Sequence, residues 1–84
     1  MNRSERIKTI LQEKLQPSHL ELLDDSSKHA GHAGASAGGE SHYTLIIQSE
    51  ALAGLTKILQ HKKIYGLLAE EFATGLHALS IRVL

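Results

Sequence analysis

SHYTLIIQS (residues 41–49) is the clearest β-strand pattern in this sequence of 84 residues. Its odd-numbered side chains are apolar and are expected to face a core: Tyr43, Leu45 and Ile47. The intervening side chains are expected on the opposite face: Thr44, Ile46 and Gln48. This period of two is what a strand produces, since successive side chains point to opposite sides of a sheet.

A helix and a second strand are predicted before this segment. Residues 2–16 place four apolar side chains at helical spacing: Ile7, Ile10, Leu11 and Leu15. Asn2 or Ser4 can cap the start of this helix, and Pro17 ends it by restricting the residue before it. Residues 19–24 then predict a short strand, with Leu20 and Leu22 on one face.

The pattern after residue 51 predicts helix and then strand. Residues 52–73 carry two helical stripes, the first of Leu52, Leu55 and Leu59 and the second of Tyr65, Leu68, Ala69 and Phe72. Because the phase changes around residues 61–63, we expect two helices or one bent helix. Gly75 supplies a helix stop. Residues 76–84 predict the last strand, with one face formed by Leu79, Ile81 and Val83.

The order is therefore helix, strand, strand, helix, helix, strand. It predicts a two-layer α+β domain in which helices cover one face of a three-stranded sheet. We expect a single domain over residues 1–84. Residues 25–40 are rich in Gly, Ala and His, and they predict a long flexible loop between the first two strands. Loops of that length are usually functional or disordered.

Charge and hydropathy exclude several classes of protein. Nine basic and nine acidic side chains balance at neutral pH, so no overall field attracts nucleic acid or anionic lipid. No apolar run approaches the roughly 20 residues of a membrane helix, so no membrane partner is expected. We also expect no secretory or transit signal in this sequence, because its first residues form an amphipathic segment with an acidic side chain.

Six histidines and no cysteine are the main chemical signal. Imidazole is the commonest metal ligand and changes charge near neutral pH, whereas iron–sulfur clusters are usually held by thiolates. The chain could bind a transition metal by nitrogen alone, or complete a site whose sulfur ligands come from another molecule. An enzyme is not expected, because Ser41 beside His42 has no evident orienting acid.

Six segments carry a further signal: PSHLELLDDS (17–26), KH (28–29), ESHY (40–43), LAGLTKILQHKKIY (52–65), LAEEF (68–72) and GLHALSI (75–81). In this order and spacing they resemble the BolA family over nearly the whole chain. The resemblance implies a fold similar to the class II KH domain. It also implies a non-enzymatic accessory role in iron–sulfur cluster assembly or transfer, in partnership with a monothiol glutaredoxin. The two proteins would share a [2Fe–2S] cluster, with sulfur ligands from the glutaredoxin and glutathione, and this chain would hold no cluster alone.

The resemblance also implies the ligands. His77 matches the histidine that family members present at the start of the last strand, and His29 matches a loop position held by cysteine or histidine. Both are therefore expected to be metal ligands, which makes this chain a member of the histidine type. The loop is longer than in shorter members and contains His32, which is the substitute for His29 in binding the cluster.

Each of these histidines also has a structural interpretation. The parity of His77 groups it with Leu79, which would make it a partly buried, hydrogen-bonded strand residue. His29 and His32 could be a solvated pair or a zinc-binding loop. We expect a structural hydrogen bond from His42. His19 and His61 are expected at the surface or at helix ends.

A basic helix face supports an alternative function, a DNA-binding transcriptional regulator. Its residues are Lys57, His61, Lys62 and Lys63. So few charges would give weak, salt-dependent DNA binding. KH domains that grip RNA use a G-x-x-G loop between helices, and residues 60–64, the corresponding stretch, contain no glycine. The free chain is expected to be a monomer or weak homodimer in the cytoplasm, or in the mitochondrial matrix if it is a mature organelle form.

Overall fold

The computed structural model describes residues 2–25 and 41–84. Its elements follow the predicted order: α1 (Arg3–Leu15), β1 (His19–Asp24), β2 (His42–Gln48), α2 (Lys57–Leu67), α3 (Ala69–Ala73) and β3 (Ala78–Val83). The sheet order is β1-β2-β3, with β1 antiparallel and β3 parallel to β2. One core cluster joins the helices to one face of this sheet, so the predicted α+β class and element order are confirmed.

Helix α1 has the cap and the buried face that the sequence predicts. The Asn2 side chain accepts a hydrogen bond from the Glu5 N–H at 2.9 Å, and the side chains buried on the core side are Ile7, Leu11 and Leu15. Gln16 has a left-handed φ of 43° and ends the helix immediately before Pro17. The predicted helix of residues 2–16 is correct to within one residue at each end.

The central strand β2 also matches its pattern. Leu45 and Ile47 are fully buried and Tyr43 is nearly so, while Thr44 and Ile46 on the other face are half-buried. Residues 26–40, which include His29 and His32, lie outside the described residues. The predicted flexible loop therefore stays a prediction.

The predicted start of the next helix, at Leu52, is wrong. Leu52 is fully buried but lies in a turn, where its N–H donates to the Ser49 carbonyl. Gly54, with φ of 81°, reverses the chain, and Thr56 then caps α2 by accepting from the Leu59 N–H at 3.3 Å. Leu59 is 49% exposed, because the first stripe belongs partly to the turn and not to one helix face.

The change of helix direction also lies later than expected. Residues 61–63 lie inside α2, since lysine is a good helix former and does not interrupt the backbone. The break is at Leu68, which is fully buried and closes α2 with its N–H on the Ile64 carbonyl. The prediction of two helices is correct. The break between them lies at Leu68 and not at residues 61–63, where the sequence pattern placed it.

The last strand begins at Ala78 and not at Leu76. The Leu76 N–H donates to the Glu71 carbonyl at 2.8 Å, which keeps Leu76 attached to the end of α3. Gly75 makes this turn with φ of 133°. His77 is therefore the residue immediately before β3.

A buried carboxylate joins α1 to α3. Glu71 is 5% exposed and accepts from Arg3 at 2.8 Å and from Arg6 at 2.9 and 3.0 Å. The hydrogen bond from Arg6, together with the charges of both guanidiniums, lowers the pKa of Glu71 against the opposing effect of burial. This cluster fixes the N-terminal helix over the end of the domain that leads into β3.

In the part of the chain that the structure describes, no helix is long and apolar enough to cross a membrane.

Candidate functional site

The parallel strands β2 and β3 begin side by side, and two histidines meet there. His42 is opposite Ala78 in the register. The carbonyl of Ser41 accepts from the N–H of His77 at 2.7 Å and from that of Ala78 at 3.1 Å. The backbone around His77 is therefore fixed next to His42, and the two ring centroids are 5.1 Å apart with planes tilted by 50°.

The two rings differ in burial. His42 is only 7% exposed, and its Nδ1 is 2.9 Å from the hydroxyl oxygen of Ser41. Either group can be the donor, depending on the tautomer of the ring. His77 is exposed. The arrangement thus exposes one imidazole at the surface and keeps the other anchored behind it.

The structural interpretation of His77, as a partly buried strand residue on the apolar face, is therefore wrong. Leu79 and Ile81 do face the core, as their parity predicts. His77 does not continue that alternation, because it precedes the first residue of β3 and follows the turn at Gly75. Its ring lies instead next to His42. An exposed imidazole is what a ligand for a metal held by another molecule requires.

The structural hydrogen bond expected of His42 is confirmed by its contact with Ser41. Its contact with the His77 ring was not predicted. Local periodicity carries no information on that contact, since it depends on the register between strands that start 36 positions apart, at residues 42 and 78. Only the pairing of these two strands in parallel could have indicated it.

The predicted loop ligands, His29 and His32, lie outside the described residues, so whether they lie near His77 stays a prediction. Within residues 2–25 and 41–84, no group of three or more His, Cys, Asp or Glu side chains could hold a metal ion. Two imidazoles at one place can complete a coordination sphere but cannot form a closed site. The described residues alone therefore do not supply a complete metal site, and two nitrogen donors are what they would add to one.

His19 and His61 lie away from this pair. His19 is at the surface, with its Nε2 2.9 Å from a carboxylate oxygen of Glu21. His61 is half-buried on α2. The surface location expected of His19 is confirmed, whereas His61 lies in the middle of α2 and not at a helix end.

The four residues of the predicted basic face lie in two groups. Lys57 and His61, one helical turn apart, line a groove of about 310 Å³ together with Gln60 and the end of β3. That strand adds Arg82, which the sequence interpretation missed. Lys62 and Lys63 are exposed but are not part of the groove lining, since residues one or two positions further along a helix point elsewhere.

The junction between the helices is also not where it was expected. Residues 60–64 are helical, and α2 and α3 meet at Leu68 without a loop. The segment at this junction, GLLA (66–69), lacks the second glycine of a G-x-x-G loop. KH domains contact the RNA backbone through that loop. That contact therefore has no counterpart at the junction between α2 and α3.

Comparison with known proteins identifies the group to which the chain is similar. The sequence model of the family described as BolA-like protein matches residues 11–84. The chain is 46% identical over 84 residues to SufE-like protein 1, chloroplastic/mitochondrial, of Arabidopsis thaliana, with 95% of this chain and 23% of that protein covered. It is 43% identical over 82 residues to Protein BOLA1, chloroplastic, of the same plant, with 95% and 51% covered. The chain thus spans about a quarter of the first relative and about half of the second.

A bacterial relative is matched over more of its length. The DNA-binding transcriptional regulator BolA of Escherichia coli is 38% identical over 77 residues, covering 92% of this chain and 70% of that protein. Among solved structures, the BolA domain of SufE1 from Arabidopsis thaliana superposes with a TM-score of 0.89 at 42% identity, covering 99% of this chain and 91% of that one. From its sequence match, its element order and this superposition, we conclude that the chain belongs to the BolA family.

Proposed function

We propose that this chain is an accessory protein of iron–sulfur cluster assembly or transfer, which docks on a monothiol glutaredoxin and shares a [2Fe–2S] cluster with it. The observation that carries the proposal is the exposed ring of His77, fixed next to the buried ring of His42. Family membership supports the same role but does not by itself specify the partner or the cluster.

The donor chemistry supports a division of ligands between two molecules. Nitrogen ligands can replace two thiolates on one iron of a [2Fe–2S] cluster, as in Rieske centres. The sequence has no cysteine, so the sulfur ligands would come from the glutaredoxin and glutathione. His77 would supply one nitrogen. His29 or His32 would supply a second from the loop.

The contacts around His77 support this role. Metal-bound imidazoles are usually held in orientation by neighbouring groups. Here the Ser41 carbonyl holds the backbone of His77 and the His42 ring borders its side chain. The backbone of His77 is therefore held in place, and its ring is in contact with that of His42.

The test is an optical one. The full chain is mixed with a monothiol glutaredoxin, glutathione, iron and sulfide, and the visible absorption and circular dichroism spectra are compared with those of the glutaredoxin alone. We expect a distinct spectrum that His77→Ala abolishes. His19→Ala is the matched control, because His19 is also exposed but lies on β1, away from the pair. A spectrum unaffected by His77→Ala would refute the assignment.

The loop ligand is tested separately with His29→Ala and His32→Ala. If one loop histidine binds the iron, only one of these variants should alter the spectrum and the reduction potential of the shared cluster. If neither does so while His77→Ala does, the chain supplies a single nitrogen.

The alternative of a DNA-binding regulator has one supporting fact, the name of the Escherichia coli relative. The formal net charge of zero and the separation of Lys62 and Lys63 from the groove give it less support. Binding to duplex DNA should be measured against salt concentration. Nanomolar, sequence-selective affinity at physiological salt would favour the regulator, and weak, steeply salt-dependent binding would count as non-specific.

The location of the chain is a further proposal. The names of two plant relatives include chloroplastic and mitochondrial forms, which supports an organelle as an alternative to the cytoplasm. We propose no catalytic role for any residue.

A further inference from the structure

One edge of β3 is free of strand pairing within residues 2–25 and 41–84. In the sheet order β1-β2-β3 of these described residues, the last strand pairs only with β2. The N–H groups of Ala78 and Leu84 donate to the carbonyls of Ser41 and Ile47, so even-numbered residues of β3 point their backbone groups at β2. Odd-numbered residues point theirs away from β2, toward the free edge.

One position of this edge is already occupied. The hydroxyl of Tyr65, on α2, donates to the carbonyl of Leu79 at 2.9 Å. Further along, Ile81 and Val83 line the groove that separates β3 from the first turns of α2. Among the described residues, the edge is thus covered by a hydrogen bond at Leu79, near the start of β3, and is open at Ile81 and Val83, near its end.

Cations border the open part. Lys57 and His61 line it from the helix, and Arg82 lines it from the strand. None of the described ion pairs or hydrogen bonds involves the side chain of Lys57 or Arg82, and the described lining includes no carboxylate. A strand added here would meet positive charge on both of its faces.

We propose that this groove binds an extended acidic segment of a partner protein, which adds to the sheet as a fourth strand along Ile81 and Val83. Main-chain hydrogen bonds would supply affinity, as in other cases of strand addition. Lys57 and Arg82 would select for carboxylates. The site lies about 10–17 Å along β3 from its first residue, at a rise of about 3.3 Å per residue, so it is separate from the histidine pair and its occupancy does not depend on the proposed cluster.

Two other occupants fit less well. A second copy of this chain, paired edge to edge, would bring Arg82 and Lys57 of both copies together, and like charges in register repel. A nucleic acid would find two permanent cations among the described lining residues and no G-x-x-G loop between α2 and α3, whereas tight phosphate binding needs several cations.

The test uses the full chain, labelled with ¹⁵N, and a short synthetic peptide in which Glu and Val alternate. We expect the largest amide shifts at Ile81 and Val83 on titration of the peptide. A peptide in which Lys replaces Glu, and the acidic peptide N-methylated on alternate amides, should both fail to cause them. These comparisons need no change in the protein.

Variants then test the charges. Arg82→Glu should weaken binding of the acidic peptide about fivefold, the scale of one exposed ion pair. Lys14→Glu is the matched control, since Lys14 is exposed on α1 and is not part of the groove lining, and it should leave the affinity unchanged. The amide spectrum of each variant reports whether it is folded.

Several outcomes would overturn the proposal. They are an acidic peptide that leaves the Ile81 and Val83 amides unmoved, equal affinity for Arg82→Glu, and unimpaired binding of the N-methylated peptide. A single-stranded oligonucleotide that shifts the same amides at lower concentration would assign the groove to nucleic acid instead. A symmetric shift of these amides on raising the protein concentration alone would assign it to a second copy.

Discussion

Arg3 and Glu71 are separated by 68 positions in the chain, yet Nη1 of the arginine lies 2.8 Å from Oε1 of the glutamate. Both side chains are nearly buried, at 11% and 7% exposure. The same carboxylate also binds Arg6. Because α3 leads directly into β3, this contact connects the start of the chain to the segment that carries His77.

The first prediction concerns acid stability. Glu71→Gln should lower the free energy of unfolding by about 2 kcal/mol at pH 7, the scale of hydrogen bonds to charged groups. The pKa of Glu71 in the folded chain is lowered from its ordinary value of 4.5. The stabilisation is therefore complete above about pH 4.5 and is lost as the pH falls through the lower, folded-state value.

Urea unfolding of both proteins as a function of pH measures this effect. The difference between them should be constant from pH 7 to about pH 5 and should shrink at more acid pH. Glu70→Gln is the control, because Glu70 is exposed on the same helix and its substitution should have little effect. A difference that persists unchanged into strong acid would show that the ion pair is not its source.

The second prediction concerns the orientation of His77. Ser41→Ala removes the hydroxyl 2.9 Å from Nδ1 of His42 but keeps the carbonyl that holds the His77 backbone. We expect a loss of about 1 kcal/mol in unfolding free energy and a change in the ring proton shifts of both histidines, since their rings are in contact.

The matched control for Ser41→Ala is Ser80→Ala, an exposed serine on β3. It should leave both histidine rings unchanged in the NMR spectrum. If Ser41→Ala shifts the His42 signals and leaves those of His77 unmoved, the ring contact does not orient His77.

The sequence predicts the features that neighbouring residues determine, and it misses those that depend on contacts between residues far apart in the chain. Alternation at Tyr43, Leu45 and Ile47 reports a period of two, which neighbouring residues alone determine, and β2 was predicted nearly to the residue. The pairing of His42 with His77 depends on parallel strands joined through two helices. No local pattern contains that information.

The misplaced start of α2 has a different cause. Leu52, Leu55 and Leu59 have helical spacing, but the first of them is buried from a turn and the last is exposed on the helix. Ser49 and Gly54 form that turn through a side-chain hydrogen bond and a positive φ. Periodicity alone cannot distinguish three apolar residues of one helix from residues of a turn and a helix that follow each other.

The third prediction compares a buried leucine with an exposed one. Leu45→Ala removes a fully buried side chain of the central strand and should cost about 2–5 kcal/mol. Leu59→Ala, at a site 49% exposed, should cost less than about 1 kcal/mol, because little apolar surface is lost from the core. Chemical denaturation compares the two. Similar losses of unfolding free energy in the two variants would support the predicted apolar face that includes Leu59 and would contradict its exposure.

The fourth prediction compares two glycines. Gly54 has φ of 81°, a region that costs an alanine about 1 kcal/mol or more, so Gly54→Ala should destabilise the domain. Gly66 lies within α2, and a Cβ built there meets nothing within 4 Å. Gly66→Ala should therefore stabilise the domain by about 0.5–1 kcal/mol through helix propensity and reduced freedom of the unfolded chain. The two variants add the same methyl group, so opposite shifts in thermal midpoint isolate the backbone conformation as the cause. Shifts of the same sign would contradict either the turn at Gly54 or the uninterrupted helix through Gly66.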